Sequence, residues 1–344
     1  VVVTGSYIRG TPEDAALPVA VIGAEELQQL GAPTVTELFR NLPEAQGLIG
    51  ETNQFDTRGG QAAVGSTSIN LRGLGATRTL VLLNGRRHVT DDLIGVDVLA
   101  FPTNALARVE VLKDGAAALY GSDAIGGVVN FITRRDVDGI EVSGSHQFID
   151  SSQGDSEIGV LVGDRREGLN WMIAAQYNHR GELRVKDRDW ALRPFLENPE
   201  GGWSSIGHPG TFVNPIDFSF TPDPQCNVLG GVNDGFFCRF QYTFFDNLIE
   251  ESDNTKIFAA LDMDVGAAKL HLEGLLSRSS VDDYKTSPAY PPQTLLNTFV
   301  PASHPGLLDM VARFPAFGAA IGAGAIPAIY WGRYAGVDGI DGGK

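Results

Sequence analysis

Residues 109–135 read VEVLKDGAAALYGSDAIGGVVNFITRR, and the fold turns on what the glycines in its second half are for. Gly121 and Gly126 have the spacing of a phosphate-binding loop. Gly127, however, stands where such a loop needs its lysine, and Val128 where it needs the Ser or Thr that holds magnesium. The order of elements is wrong as well, because a phosphate loop opens a helix, whereas Val128-Val129-Asn130-Phe131-Ile132 is β-branched and strand-like. Glycine in this stretch is expected to supply tight turns and close backbone approach.

Outward from this stretch toward the N-terminus, the chain is mixed. Thr34 to Leu42 follows Gly31-Ala32-Pro33 and stops before Pro43, which predicts a short helix with Thr34 as N-cap and Glu37 three residues on. A second short helix is expected over Ala24 to Leu30. Strands are expected at Ser68 to Arg72, at Thr79 to Leu83 before the turn Asn84-Gly85, at Val109 to Leu112 and at Val128 to Ile132. This half reads as a small α+β domain.

Toward the C-terminus the texture changes to long strands of period two. Leu169, Trp171, Ile173, Ala175 and Tyr177 share one face, and Asn170, Met172, Ala174, Gln176 and Asn178 the other. Ile257, Ala259, Leu261, Met263 and Val265 alternate in the same way, as do Leu270, Leu272 and Leu276. Five strands are expected at about 140 to 149, 155 to 164, 169 to 180, 254 to 265 and 268 to 280, of the length a membrane barrel uses. Tight links follow the second and fourth (Asp164 to Gly168 and Gly266 to Ala268), and long loops, 181–253 and 281–344, follow the third and fifth. Short turns on one side and long loops on the other are the asymmetry of outer-membrane barrels, although alternation by itself suits a secreted β-sandwich equally well. Trp171 and Tyr177, about 20 Å apart along one strand at ~3.4 Å per residue, suit an aromatic girdle or an ordinary core.

Composition narrows the function. The 344 residues carry a net charge of −16, which argues against a nucleic-acid partner. Apolar residues make up 43%, as expected of folded protein, and no apolar run is long enough for a membrane helix. The two cysteines, Cys226 and Cys238, are a disulfide candidate in an oxidising compartment, two buried thiols being the other reading. Six scattered histidines form no metal-ligand spacing, and no nucleophile elbow or Cys/His pairing appears. No catalytic residue, metal or cofactor is expected, and the protein is read as a non-enzyme.

The segments PVAVIGAEELQQLGAPTVTELFRNLPEAQG, INLRGLGATRTLVLLNGRR and FPTNALARVEVLKDGAAALYGSDAIGGVVNFITRR make the sequence resemble the TonB-dependent outer-membrane receptors. The last is the most specific and looks like the end of that family's plug domain. The resemblance implies an α+β plug domain followed by antiparallel transmembrane β-barrel strands, incomplete here because about five strands are found where the family's barrels have 22. It implies a TonB-box-like segment and plug start at 1–10, a plug at 11–137 and the N-terminal part of the barrel at 138–344. It further implies residence in the Gram-negative cell outer membrane, among lipid. The implied activity is TonB-dependent import of a scarce nutrient, with TonB and its ExbB and ExbD partners supplying energy from the periplasmic side. A ferric siderophore leads as cargo, ahead of cobalamin, haem or an oligosaccharide.

Val1, Val2, Val3 and Thr4 look like part of the box offered to TonB; a β-branched run suits strand addition to a partner's sheet edge, and equally the first strand of the plug. The plug apices that would touch the small-molecule ligand correspond to Gln54, Phe55, Arg58 and Gln61, and to Thr90, Asp91 and Asp92. The loop from Trp190 to Tyr242 is rich in aromatic residues, which either stack on a sugar or aryl ligand or pack on one another. The competing functional reading is a secreted β-rich glycan-binding or glycan-cleaving protein.

Overall fold

The computed structural model describes residues 19–23, 35–40, 42–43, 45, 66–88, 95–113, 119–214, 217–281, 299–301, 303, 305–313, 315–320 and 328–331. The chain divides into two compact units, one made of residues 1–182 and 249–282 and the other of 183–248 and 283–344.

The first unit contains two sheets. Strands β1 (Val19–Gly23), β2 (Thr79–Leu83), β3 (Arg86–Arg87), β4 (Leu106–Leu112) and β5 (Gly127–Thr133) form the first, in the order β1-β4-β5-β2-β3. Only the β2–β5 pair is parallel. On one face Val81, Val109, Val111, Val129 and Phe131 pack with Phe101, Ile69 and, from helix α1 (Val35–Arg40), Val35 and Phe39. Phe131 is fully buried between Phe101 and Phe39, with ring centroids 4.8 and 6.1 Å away. The other face carries Leu80, Leu82, Leu112 and Val128.

Two glycines of residues 121–127, Gly126 and Gly127, serve this packing. A Cβ on Gly127 would lie 2.7 Å from both the Leu112 carbonyl oxygen and Leu71 Cδ1, and its φ of 134° is one that side chains avoid. Ser68 to Arg72 is not a strand. Its residues from Ser68 to Leu71 are buried but make only isolated bridges, and the left-handed Arg72 and Gly73 turn the chain away before a ladder forms. The expected helix over Ala24 to Leu30 and the N-cap at Thr34 lie outside the described residues.

The second sheet is wholly antiparallel: β6 (Gly139–Gln147), β7 (Asp155–Arg166), β8 (Leu169–Arg180), β9 (Ser252–Val265) and β10 (Ala268–Ser280), each paired with the next. The β7–β8 and β9–β10 turns are two residues each, tighter than expected. Asp164, Arg165 and Arg166 belong to β7, and Glu167-Gly168 alone makes the turn. Among the described residues the sheet does not close into a barrel.

The burial of this sheet is inverted relative to a water-soluble protein. Its outward rows, Val142–Val160–Ala175–Ile257–Leu276 and Ile140–Val162–Ile173–Ala259–Gly274, are apolar. Ile140 is 72% exposed and Leu276 67%. Its inward face is mixed: Leu161, Met172, Ala174 and Phe258 lie there beside Gln176, Asn254 and Lys256, and all seven are buried.

The second unit is built from both long loops at once. Strands Thr211–Val213 and Phe220–Pro222 from the first loop join Phe299–Val300 and Ala328–Trp331 from the second in one antiparallel sheet. Helix Pro305–Arg313 buries Leu307 and Met310 against Phe212. A three-stranded sheet of Trp203–Ser204, Val232–Asn233 and Cys238–Gln241 completes it. Cys226 and Cys238 are joined as a disulfide, with Cα atoms 5.7 Å apart.

Candidate functional site

Within the first unit, the α+β domain and the second sheet meet along a polar seam. The seam starts at Asn84-Gly85, whose φ values of 52° and 79° make the tight turn that the dipeptide favours. That turn leaves the Asn84 side chain free to bond in two directions. Its Oδ1 accepts from the Thr133 backbone N–H at 2.9 Å, while its Nδ2 donates to Glu273 Oε1 on β10 at 2.8 Å. Glu273 also faces His271 Nε2 at 2.9 Å and Arg135 at 3.9 Å, and His271 Nδ1 faces Asp262 Oδ1 at 2.6 Å. The Glu273 side chain is only 10% exposed, so these donors offset the cost of burying its charge.

The turn at Thr103–Ala105 makes the second contact. Thr103 donates its backbone N–H to Gln176 Oε1 at 2.8 Å and accepts from Gln176 Nε2 on its hydroxyl at 2.7 Å. Asn104 Nδ2 reaches the Val160 and Ala175 carbonyls, each at 3.3 Å, over Gly159, where a Cβ would stand 2.9 Å from that same nitrogen. Gly163, four residues on, admits Val137 in the same way, its would-be Cβ lying 2.8 Å from the valine Cβ. Two glycines on one face of β7 thus make pits into which the neighbouring segment fits. Apolar packing of Ala105, Val137, Leu161, Met172, Ala174 and Phe258 fills the space between.

The connection into β6 is fixed by a two-pronged pair, Arg134 Nη1 and Nη2 to Glu141 Oε2 and Oε1 at 2.6 and 2.7 Å. That hydrogen bonding, ahead of the opposing effect of burial and helped by the charges of Glu141 and Asp136, holds the Arg134 pKa above its ordinary value. Asn170 Nδ2 donates to the Arg135 carbonyl at 2.6 Å and completes the seam.

The expected contact residues Val1, Val2, Val3 and Thr4, and the expected apices Gln54, Phe55, Arg58, Gln61, Thr90, Asp91 and Asp92, lie outside the described residues. The seam residues Asn84, Thr103, Asn104, Gln176 and Glu273 were not singled out as site residues in the sequence. The available signal was their placement: Asn84 in a recognisable turn, Gln176 and Glu273 on the polar side of the strand alternation. Among the described residues no group of three or more His, Cys, Asp or Glu side chains is arranged to hold a metal ion.

With this geometry established, comparison with known proteins identifies the domain. Residues 11–128 match the TonB-dependent receptor plug domain family. The vitamin B12 transporter BtuB of Photobacterium profundum is 33% identical over 132 residues, 38% of this chain and 20% of that protein. Among solved structures, the ferric enterobactin receptor PfeA of Pseudomonas aeruginosa aligns over 81% of this chain and 34% of its own, at 17% identity and a TM-score of 0.47. The siderophore receptor PirA of Acinetobacter baumannii aligns over 76% and 31%, at 20% identity and a TM-score of 0.45. The chain therefore spans about a fifth of the curated relative's length and about a third of the solved receptors. Over residues 11–128, this chain carries a domain of the TonB-dependent receptor plug family.

Proposed function

We propose that the chain is the plug and first-strand part of a receptor that imports a scarce nutrient across the Gram-negative outer membrane, energised through TonB. The observation that carries this reading is the inverted burial of the β6–β10 sheet. Apolar rows face outward while Gln176 and Lys256, on the opposite side, are 2% and 3% exposed. In water that arrangement is unfavourable on both faces, whereas with hydrocarbon outside and a plug inside both faces are matched. A secreted glycan-binding protein would be expected to put its apolar rows inside. The family's cargo range leaves a ferric siderophore as the first expectation, with cobalamin, haem and oligosaccharides beside it.

In this reading Val1 to Thr4 add a strand to TonB, and the Asn84–Glu273 and Thr103–Gln176 contacts hold the plug until that pull arrives. Gln54, Phe55, Arg58, Gln61, Thr90, Asp91 and Asp92 are proposed to meet the ligand at the plug apices. Deleting residues 1–4 from the receptor in its own cells tests the mechanism. Energised uptake should be abolished and ligand binding retained; uptake at the parental rate would overturn the assignment.

A further inference from the structure

On the outward face of the β8–β10 ladder, a hollow of about 380 Å³ opens between Trp171 and Ile173 of β8, Ala259 and Leu261 of β9, and Leu272 and Gly274 of β10. Gly274 makes it, and nothing in the fold asks for a glycine there. Its φ lies outside the left-handed region, a Cβ would meet no atom within 4 Å, and the β9–β10 ladder passes through it without a bulge, Ala259 opposite. Glycine weakens a strand interior, and where no turn, bulge or crowded neighbour explains it, it marks a place where something else approaches the backbone. Gly159 and Gly163 show that use on the opposite face, where Asn104 and Val137 come against them. At Gly274 no described residue does so.

The same two strands select the occupant. Toward their loop end, Ile257 and Leu276 continue the apolar surface, and one step further Thr255 pairs with Arg278. Arg278 is exposed and has no hydrogen bond or ion pair among the described residues. The carboxylate one row away, Asp253, is engaged instead by the Tyr177 hydroxyl at 2.6 Å and by His179 Nδ1 at 3.0 Å. Arg278 lies four residues from Gly274, about 14 Å along the strand, which is close to half of a bilayer's ~30 Å hydrocarbon core. A guanidinium fork suited to phosphate, above an apolar track that ends in a hollow, is the outline of an amphiphile with an anionic head. We propose that this wall binds one phosphate-bearing acyl lipid, its phosphate on Arg278 and an acyl chain laid past Leu276 into the hollow at Gly274. This rests on the reading of the outward face as membrane-facing, and adds to it one specific lipid site.

Native mass spectrometry of the complete receptor, released from a neutral detergent, counts the lipids that each variant retains. The probes are dioleoylphosphatidylglycerol, dioleoylglycerol, which has the chains without the phosphate, and glycerol phosphate, which has the phosphate without the chains. One phosphatidylglycerol should be retained at least about tenfold more tightly than dioleoylglycerol, the factor expected of a charge-assisted, two-pronged hydrogen bond. Arg278→Gln should bring the two lipids to the same affinity. Gly274→Leu, whose side chain has room to enter the hollow, should weaken both lipids several-fold. Equal affinity for the two lipids in the unaltered receptor, phosphatidylglycerol binding unchanged in either variant, or retention of glycerol phosphate in place of the lipid would each overturn the proposal. A receptor dimer that Gly274→Leu dissolves would overturn it too, by giving the hollow to a second copy. All of these outcomes leave the import reading standing, since uptake by the residue 1–4 deletion decides that reading separately.

Discussion

In the plug, Val129 lies in a strand with no exposed surface; in the next strand along the chain, β6, Val142 is 70% exposed. Both are β-branched residues in well-formed ladders, and the local sequences give no reason for the difference. Two apolar faces close the plug sheet inward, one against α1 and one, carrying Leu112, against Ala124 and Tyr120, in the manner of any protein folded in water. The β6–β10 sheet turns its outward apolar rows away from the plug and a mixed face, with Gln176 and Lys256 beside Met172 and Phe258, toward it. Strand chemistry alone therefore does not say which face is inside; the medium beyond each face does.

Three experiments break or sharpen that contrast. The largest effect is expected in the plug, where Phe131→Ala removes a ring that is fully buried between Phe101 and Phe39. Loss of such a ring costs about 3–5 kcal/mol, read as a lowered urea midpoint of the plug with the strands' circular dichroism in detergent unchanged. An unmoved midpoint would mean that the plug core is not an independent water-type core. Next comes the outward face of the strands, where Ile173 is 46% exposed. Ile173→Arg, measured as folding of the complete receptor into phospholipid vesicles, should cost about 2–4 kcal/mol if hydrocarbon lies outside. On a water-exposed face the same change would stay within about 0.5 kcal/mol, which would end the comparison.

The smallest effect belongs to the loop unit. Burial pushes the Asp234 carboxyl up, but the N–H groups of Phe237 and Phe236 and the Arg239 guanidinium together outweigh it and hold it below the ordinary range. A depressed folded pKa contributes stability that is complete above the unfolded carboxylate value, about 3.9, and is lost as pH falls through the lower folded value. Hydrogen exchange at residues 236–238 should accordingly stay protected down to about pH 4 and rise below it, after correction for intrinsic rates. Asp234→Asn should remove this pH dependence and cost at most about 1 kcal/mol at neutral pH.

Much of the architecture was legible because it follows period and punctuation. Thr79–Leu83 falls where the β-branched run and the Asn84-Gly85 turn place it, and the long strands fall within a few residues of their alternating segments. Ser68 to Arg72 misled because burial, not pairing, selects its residues. The joining of the two long loops had no local signal at all. Strands of two to four residues from segments far apart in sequence carry too few alternations to read. The seam was half visible, since alternation marks Gln176 and Glu273 as polar-side residues while their partners Thr103 and Asn84 come from turns whose positions only the folded plug determines.

The shared sheet of the loop unit has a consequence for how such a protein changes over generations. Thr211–Val213 lies between Phe220–Pro222 on one side and Ala328–Trp331 on the other, so each of the two central strands takes the partner on one of its edges from the other loop. A recombination that imports one loop from another receptor delivers an orphaned edge strand, however well its own residues suit a new ligand. Variation here is expected to be inherited in matched pairs, and an engineer grafting a specificity should move residues 183–248 and 299–331 together.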